Sequence, residues 1–264
     1  MQENAEEIKK WEDVEVERSA SEARKKNASN DLRIKNDIII RYANPSATTP
    51  FALEYAYYLL GDASGKTVLD YGCGSGDNSV LIASHGGKVI GIDISPDLVE
   101  IAEKRLELHG YKEKVAFRVG SAHELPLADA SIDVVFGMAI LHHLDLNLAS
   151  KEVFRVLKKG GTAIFLEPVR NSKLIWFIRN MIPYQQADIS PFERPLTDNE
   201  LQQFAKDFSS YESRAFSLPF VNLLEVLGVS GKILFPAIRL DGKILKNSKF
   251  LNYYASVRVI KLTK

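Results

Sequence analysis

From about residue 66 the chain alternates between short apolar runs and longer stretches of helical period. "TVLDYG" is an apolar run ending in glycine and reads as a buried strand. "NSVLIASHGG" reads as a helix closed by Gly86 and Gly87. "KVIGID" is a second strand, and "SPDLVEIAEKRLELHG" gives the plainest helix. In it Ser95 is placed to cap, Pro96 takes the first helical position, and Asp97 and Glu100 favour the positive end. Leu98, Ala102 and Leu106 recur every four residues, and Gly110 stops the pattern. "KVAFRVG", "IDVVFGM" and "TAIFLEP" supply three more strands. "SAHELPLADAS" is too broken for a long helix, and "LASKEVFRVLKKGG" reads as a helix with a glycine stop. Strands separated by helical stretches predict an α/β fold with a parallel sheet covered on both faces and right-handed crossovers.

The flanks are less regular. Residues 1–40 mix both charges with scattered Ile8, Trp11 and Val14, and read as a helix. They form either a solvated arm or a lid folded over a site. "NPSATTP" is turn chemistry, with a helix following through "FALEYAYYLL". After Pro168 the period is lost until "TDNELQQFAKDF" returns to helix, and "YESRAFSLPF" and "YYASVRVIKLTK" read as two strands at the sheet edge. The expected organisation is an N-terminal arm or lid over residues 1–50 and one domain over 51–264. That domain carries insertions at about 170–196 and 221–250, read as loops added for substrate.

Composition narrows the class. Lys plus Arg equals 34 and Asp plus Glu equals 34, so no basic excess points to nucleic acid. Cys73 is the only cysteine, which excludes a disulfide framework and a thiolate metal cluster. The N-terminus lacks an apolar segment of signal-peptide type, and no apolar run reaches the ~18 residues of a membrane span. A soluble cytoplasmic protein is expected.

The chemistry concentrates in "VLDYGCGSGDN", where Gly72, Gly74 and Gly76 alternate behind Asp70. A dinucleotide fingerprint reads G-x-G-x-x-G, whereas the sixth position here is Asp77. Asp70 would repel a pyrophosphate but hold an ammonium. S-adenosyl-L-methionine (SAM) carries an ammonium, a carboxylate and a sulfonium, and no phosphate. Glycines let the backbone approach it, and a helix starting at Asn78 offers free N–H groups to its carboxylate. Asp93, seventeen residues after Gly76 at the tip of the second strand, is placed to accept from both ribose hydroxyls. Asp93 alone does not separate SAM from NAD.

With these stretches in register, "VLDYGCGSG", "VIGIDISPDLVEIAEKR", "GSAHELPLADASIDVVFGMAILHHL" and "EVFRVLKKGGTAIFLEP" resemble the class I SAM-dependent methyltransferases, in their small-molecule branch of ubiquinone/menaquinone type. The resemblance is close over residues 40–168. It implies a Rossmann-like sheet of seven strands in the order 3-2-1-4-5-7-6, the seventh antiparallel. It also implies that Asp70, Gly72, Gly74 and Gly76 hold the methionine part and Asp93 the ribose, with Ile94 against adenine. Ser121, Ala122 and His123 would border the adenine ring, and Met138 would lie close to the cofactor. Many relatives have an aspartate where this chain has Ser121.

Methyl transfer from a sulfonium is an in-line displacement that needs a base only for a high-pKa nucleophile. "LHHL" places His142 and His143 just past the fourth strand, and Glu167 ends the fifth on the same rim. One histidine is read as a base, with packing and capping as the alternative. Glu167 orients a histidine, binds an amine or orders the loop. His85 and His109 read as surface residues. Tyr42 either closes over the methionine end or packs in the core. Trp176 and Phe177 between Lys173 and Arg179, and eight Lys or Arg against Asp241 over residues 232–264, suggest an apolar substrate pocket with a basic rim. A weak membrane-surface contact is the alternative. The reading is a SAM-dependent methyltransferase for a small hydrophobic acceptor, oxygen preferred to nitrogen or carbon because of the histidines. A non-catalytic SAM-binding module and an NAD-dependent oxidoreductase are the alternatives.

Overall fold

The apolar runs become strands β1 (Thr67–Tyr71), β2 (Lys88–Asp93), β3 (Val115–Val119), β4 (Ile132–Met138), β5 (Leu157–Pro168), β6 (Ser210–Phe216) and β7 (Val257–Thr263). They form one sheet in the order β3-β2-β1-β4-β5-β7-β6, the order the resemblance implies. β1 through β5 pair in parallel, and β7 runs antiparallel to both β5 and β6. The computed structural model describes residues 2–28, 32–173 and 194–264. Trp176, Phe177 and Arg179, and most of the segment 170–196, lie outside the described residues.

The helices described are α1 (Gln2–Ala28), α2 (Asn36–Ala43), α3 (Ala52–Leu60), α4 (Asp77–Ser84), α5 (Pro96–His109), α6 (Leu146–Val156), α7 (Asp198–Phe204), α8 (Pro219–Val226) and α9 (Gly231–Asn247). One face of the sheet packs against α3 and α4 through Tyr57, Leu60, Val80 and Ile82. The other packs against α6 and α7 through Val153, Val156, Leu201 and Phe204. Two-sided burial explains why the central strands read as unbroken apolar runs rather than alternating ones. Ser95 caps α5, its hydroxyl accepting from Leu98 N, and Gly110 closes the helix at φ 71°. The recurring Leu98, Ala102 and Leu106 are all buried.

Three expectations are corrected. "LKKGG" is not the tail of the helix before it: α6 stops at Val156 and Leu157 already belongs to β5. Leu157 pairs with Ile132 across a register shift, and Gly160 at φ 76° turns the strand. The segment 221–250 is not a loop but mostly α8 and α9, the latter continuing through Pro236. His85 and His109 are not surface residues. The His85 ring nitrogens bond the carbonyls of Gly61 (3.0 Å) and Tyr42 (2.8 Å), and His109 Nε2 accepts from Ile34 N (2.9 Å). Histidines at helix ends tie the preceding segment to the sheet because each ring offers two distinct polar sites to buried backbone.

Candidate functional site

β1 delivers the chain into a loop in which Gly72, Gly74 and Gly76 all take left-handed backbone, φ 73°, 50° and 79°. The reasons differ along it. A Cβ on Gly76 would sit 2.8 Å from that of Ala102, so this glycine lets α4 pack against α5. Above Gly74 nothing lies within 4 Å, which leaves open ground for a ligand. The loop is pinned to the next strand: Gly72 N and Cys73 N both donate to Ile92 O, and Gly74 N donates to Asp93 Oδ2 at 2.8 Å. Asp93 Oδ1 accepts from Ser95 N at 2.9 Å. Asp93 therefore organises both the glycine loop and the turn into α5, in addition to its expected place beside a ribose.

Asp70 is 1% exposed and receives the Ser79 hydroxyl at 2.6 Å. Among the described residues no cation pairs with it. Burial drives its carboxyl up to about 7. The Ser79 hydrogen bonds oppose this, and the carboxylates of Asp93 and Asp77 add to it. Asp77 itself is paired with Arg105 of α5. A buried carboxylate without a counter-ion, close to two others, is a strong site for a cation. This donor set fits a group bearing an ammonium. The first turn of α4, which begins at Asp77 behind Gly76, adds helix-terminal N–H groups. Asn78 Oδ1 accepts from Tyr57 OH (2.8 Å), and the Tyr42 ring lies tilted against Tyr57, centroids 5.0 Å apart, with its side chain in the apolar cluster of that face. Tyr42 and Asn78 do not line the cavity described next, and neither do Asp70, Gly74, Gly76, Ser121, His142 and Glu167.

That cavity, of about 180 Å³, opens at the C-terminal ends of β1, β2 and β4. Gly72, Asp93, Ile94, Ala122, His123 and Met138 line it, as do His143 and, from the far side, α1. The sequence left a lid open as one reading of this segment but did not single out the residues of the α1 wall. Trp11, Glu12, Glu15, Arg18 and Ser19 fall on one helical face, a spacing obscured by the mixed charges around it. α1 is seated by Ala23 against Leu98 and Ile101 of α5. Glu12 Oε1 receives the Ser121 hydroxyl and lies 2.9 Å from His123 Nδ1. His123 Nε2 accepts from Asp145 N at 3.0 Å, so the ring proton is on Nδ1 and is donated to Glu12. Burial works to raise the Glu12 carboxyl, but the hydrogen bonds from His123 and Ser121 bring it below its ordinary value. An acidic group from α1 thus stands beside Ser121.

The rim after β4 is backbone under strain and well held. Ala139 has φ 52°, and its N–H donates to Leu166 O. Glu167, fully buried, accepts from Ile140 N (2.9 Å) and Leu141 N (2.8 Å) on Oε1 and from His142 Nδ1 (2.9 Å) on Oε2. With both oxygens used internally, Glu167 orients a histidine and orders the loop together, and offers nothing to a substrate amine. Its hold on Nδ1 leaves His142 Nε2 as the free lone pair. The His143 ring lies tilted against His142, centroids 4.1 Å apart, and is 3.8 Å from Glu15. Its Nδ1 is buried without a hydrogen-bond partner, and burial, then His142 and Arg18, push the imidazole down to about 3.

Comparison with known proteins identifies the family and the fold. A family model described as "Methyltransferase domain" matches residues 62–209. The demethylmenaquinone methyltransferase of Lactococcus lactis subsp. lactis is 32% identical over 160 residues, covering 56% of this chain and 62% of that protein. The ajmaline N-methyltransferase of Rauvolfia serpentina is 30% identical over 164 residues, covering 61% and 50%. The chain thus spans less than two thirds of the length of these curated relatives. Among solved structures, geranyl diphosphate C-methyltransferase from Streptomyces coelicolor superposes with a TM-score of 0.55 at 16% identity, over 79% of this chain and 76% of that one. At that identity the likeness is one of fold.

Proposed function

Since the chain belongs to the methyltransferase domain family, with SAM as its cofactor, we propose that it methylates a small hydrophobic acceptor, at oxygen. The observation that carries this reading is Asp70, a fully buried carboxylate without a cationic partner among the described residues, at the head of the glycine loop. It favours an ammonium-bearing cofactor and disfavours a pyrophosphate, which argues against the nicotinamide alternative. When bound, the cofactor supplies a methyl group on a sulfonium. Asp70 and the α4 N-terminus would hold its amino and carboxylate ends, and Asp93 would accept from the ribose. His142, its Nδ1–H fixed by Glu167, would take the acceptor's hydroxyl proton on Nε2. Glu167 stabilises the resulting imidazolium. His143 is too weak a base for this at neutral pH and serves as a wall of the cavity. A base with an orienting carboxylate supports a hydroxyl acceptor over an amine, although the relatives named above include an N-methyltransferase and a C-methyltransferase. Calorimetric titration tests the cofactor reading: SAM binds and NAD does not, and the reverse result refutes it.

The same reading makes α1 a lid. Ligand cavities ordinarily measure ~300–1,000 Å³. The 180 Å³ seen here is walled by α1, which must move outward for a cofactor to enter. Glu12 then closes over the adenine end and supplies the acidic acceptor that Ser121 does not. Glu12→Ala is expected to speed SAM dissociation about tenfold, the loss of one charged hydrogen bond. Stopped-flow displacement measures this directly, and an unchanged rate would make α1 a solvated arm.

A further inference from the structure

A second feature lies at the opposite edge of the sheet. Between α9, β6 and the turn at residues 47–50 opens a cleft of about 620 Å³ whose charged lining is Arg214, Arg239, Lys243 and Lys246, with no acid. β6 stands five strands from β2, so the cleft is roughly 24 Å across the sheet from Asp93. None of the four cations pairs with a carboxylate among the described residues. Arg214 is held by the carbonyls of Ala47 (2.8 Å) and Thr49 (2.6 Å) and lies over the Tyr55 ring at 4.5 Å. Burial pushes this guanidinium below its ordinary value. A partly desolvated cation is ordinarily held by a carboxylate, and the nearby acids are otherwise engaged. Glu54 pairs with Arg41, and Glu212 does not line the cleft. Asp241, the one acid of α9, is turned inward, where it accepts from Ser217 N and Leu218 N.

The ground around the cleft is apolar and exposed. Of the thirteen large hydrophobic residues exposed among those described, eight lie between Leu223 and Tyr253. On α9, Ile233 (55% exposed) and Leu240 (54%) stand seven residues apart on one line of the helix, beside the basic row. Val226, Leu227 and Phe250 are exposed by 65–75%. Exposed apolar area of this extent marks an interaction surface. Paired with unmatched positive charge, it complements an anionic bilayer better than a protein or a soluble phosphate ester. We propose that the α8–α9 surface docks on anionic lipid, with a lipid phosphate in the cationic cleft. This deepens the proposed function without depending on it: a hydrophobic acceptor would be met at the membrane where it partitions.

Flotation of the full chain with phosphatidylcholine vesicles, with and without phosphatidylglycerol, tests the proposal. Binding to the anionic vesicles alone is expected, reversed by salt. Lys243→Glu combined with Lys246→Glu should lower it at least tenfold, since each cation near such a surface is worth about fivefold. Ile233→Ser with Leu240→Ser should lower it severalfold, and soluble glycerol phosphate should not displace the protein. SAM affinity, read on the same variants, should be unchanged and confirms their fold. Absence of binding overturns the proposal, as does equal binding to neutral vesicles. Displacement by glycerol phosphate with the apolar variant unaffected overturns it too, in favour of a soluble phosphate ester.

Discussion

An Asp70→Asn protein is expected to fold as the parent does and to bind SAM ten- to a hundredfold more weakly. The asparagine carbonyl still accepts the Ser79 hydroxyl, so the local structure is kept. The charge opposite the cofactor's ammonium is lost, and a hydrogen bond to a charged group is worth about 1.5–3 kcal/mol. The pH dependence sharpens the test. Burial first, with Asp93 and Asp77 adding to it, raises the Asp70 carboxyl to about 7 in the folded protein, against ~3.9 in an unfolded chain. A raised folded-state value contributes stability that is present in acid and lost as pH rises through 7. The cofactor-free protein therefore carries an increasing cost on this account between about pH 4 and 7. A bound ammonium removes that cost, so SAM affinity should rise with pH towards neutrality. In Asp70→Asn both trends flatten, and the cofactor-free variant should melt no lower than the parent above neutrality. Calorimetry across that range measures the affinity, and a variant with parental affinity would contradict the role of Asp70.

His142→Ala should lower kcat by about 10²–10⁴, the range for a positioned general base, with SAM affinity unchanged. Glu167→Gln should cost nearly as much by a different route. The amide oxygen can still accept from Ile140 N and Leu141 N, but its NH2 group then faces His142 Nδ1. Two donors cannot share that contact, so the ring shifts its proton to Nε2 and the base is lost. His143→Ala should leave the chemical step close to parental, because burial already holds that imidazole neutral and weakly basic. Single-turnover rates against pH separate the two histidines. Parental rates in both His142→Ala and Glu167→Gln would remove the base from the mechanism.

The centre of the fold was legible because two-sided burial writes strands as apolar runs and glycine stops as helix ends. Thr67 to Phe165 needed little more than that pattern, and only "LKKGG" misled, since glycines that end a helix also serve a bulged strand entry. The edge was harder to read. α8 and α9 are helices whose apolar residues face solvent as well as the core, so no single period marks a buried stripe. The glycine loop and Asp93 were legible because their chemistry is local in sequence. The Glu12 contact with Ser121 and His123 joins residues more than a hundred apart, and nothing along the chain records it. His85 and His109 were misread for the same reason: their partners, Tyr42 and Ile34, come from segments that fold back from the N-terminal side.

The central claim is methyl transfer from SAM to the oxygen of a small hydrophobic acceptor. It is tested most directly by incubating the protein with methyl-labelled SAM and a panel of phenols, quinols, amines and lipids, with products read by mass spectrometry. The expected result is label on a hydroxyl oxygen together with S-adenosylhomocysteine, lost in His142→Ala. SAM bound without label reaching any acceptor, or label carried only by nitrogen or carbon at a rate indifferent to His142, would contradict it.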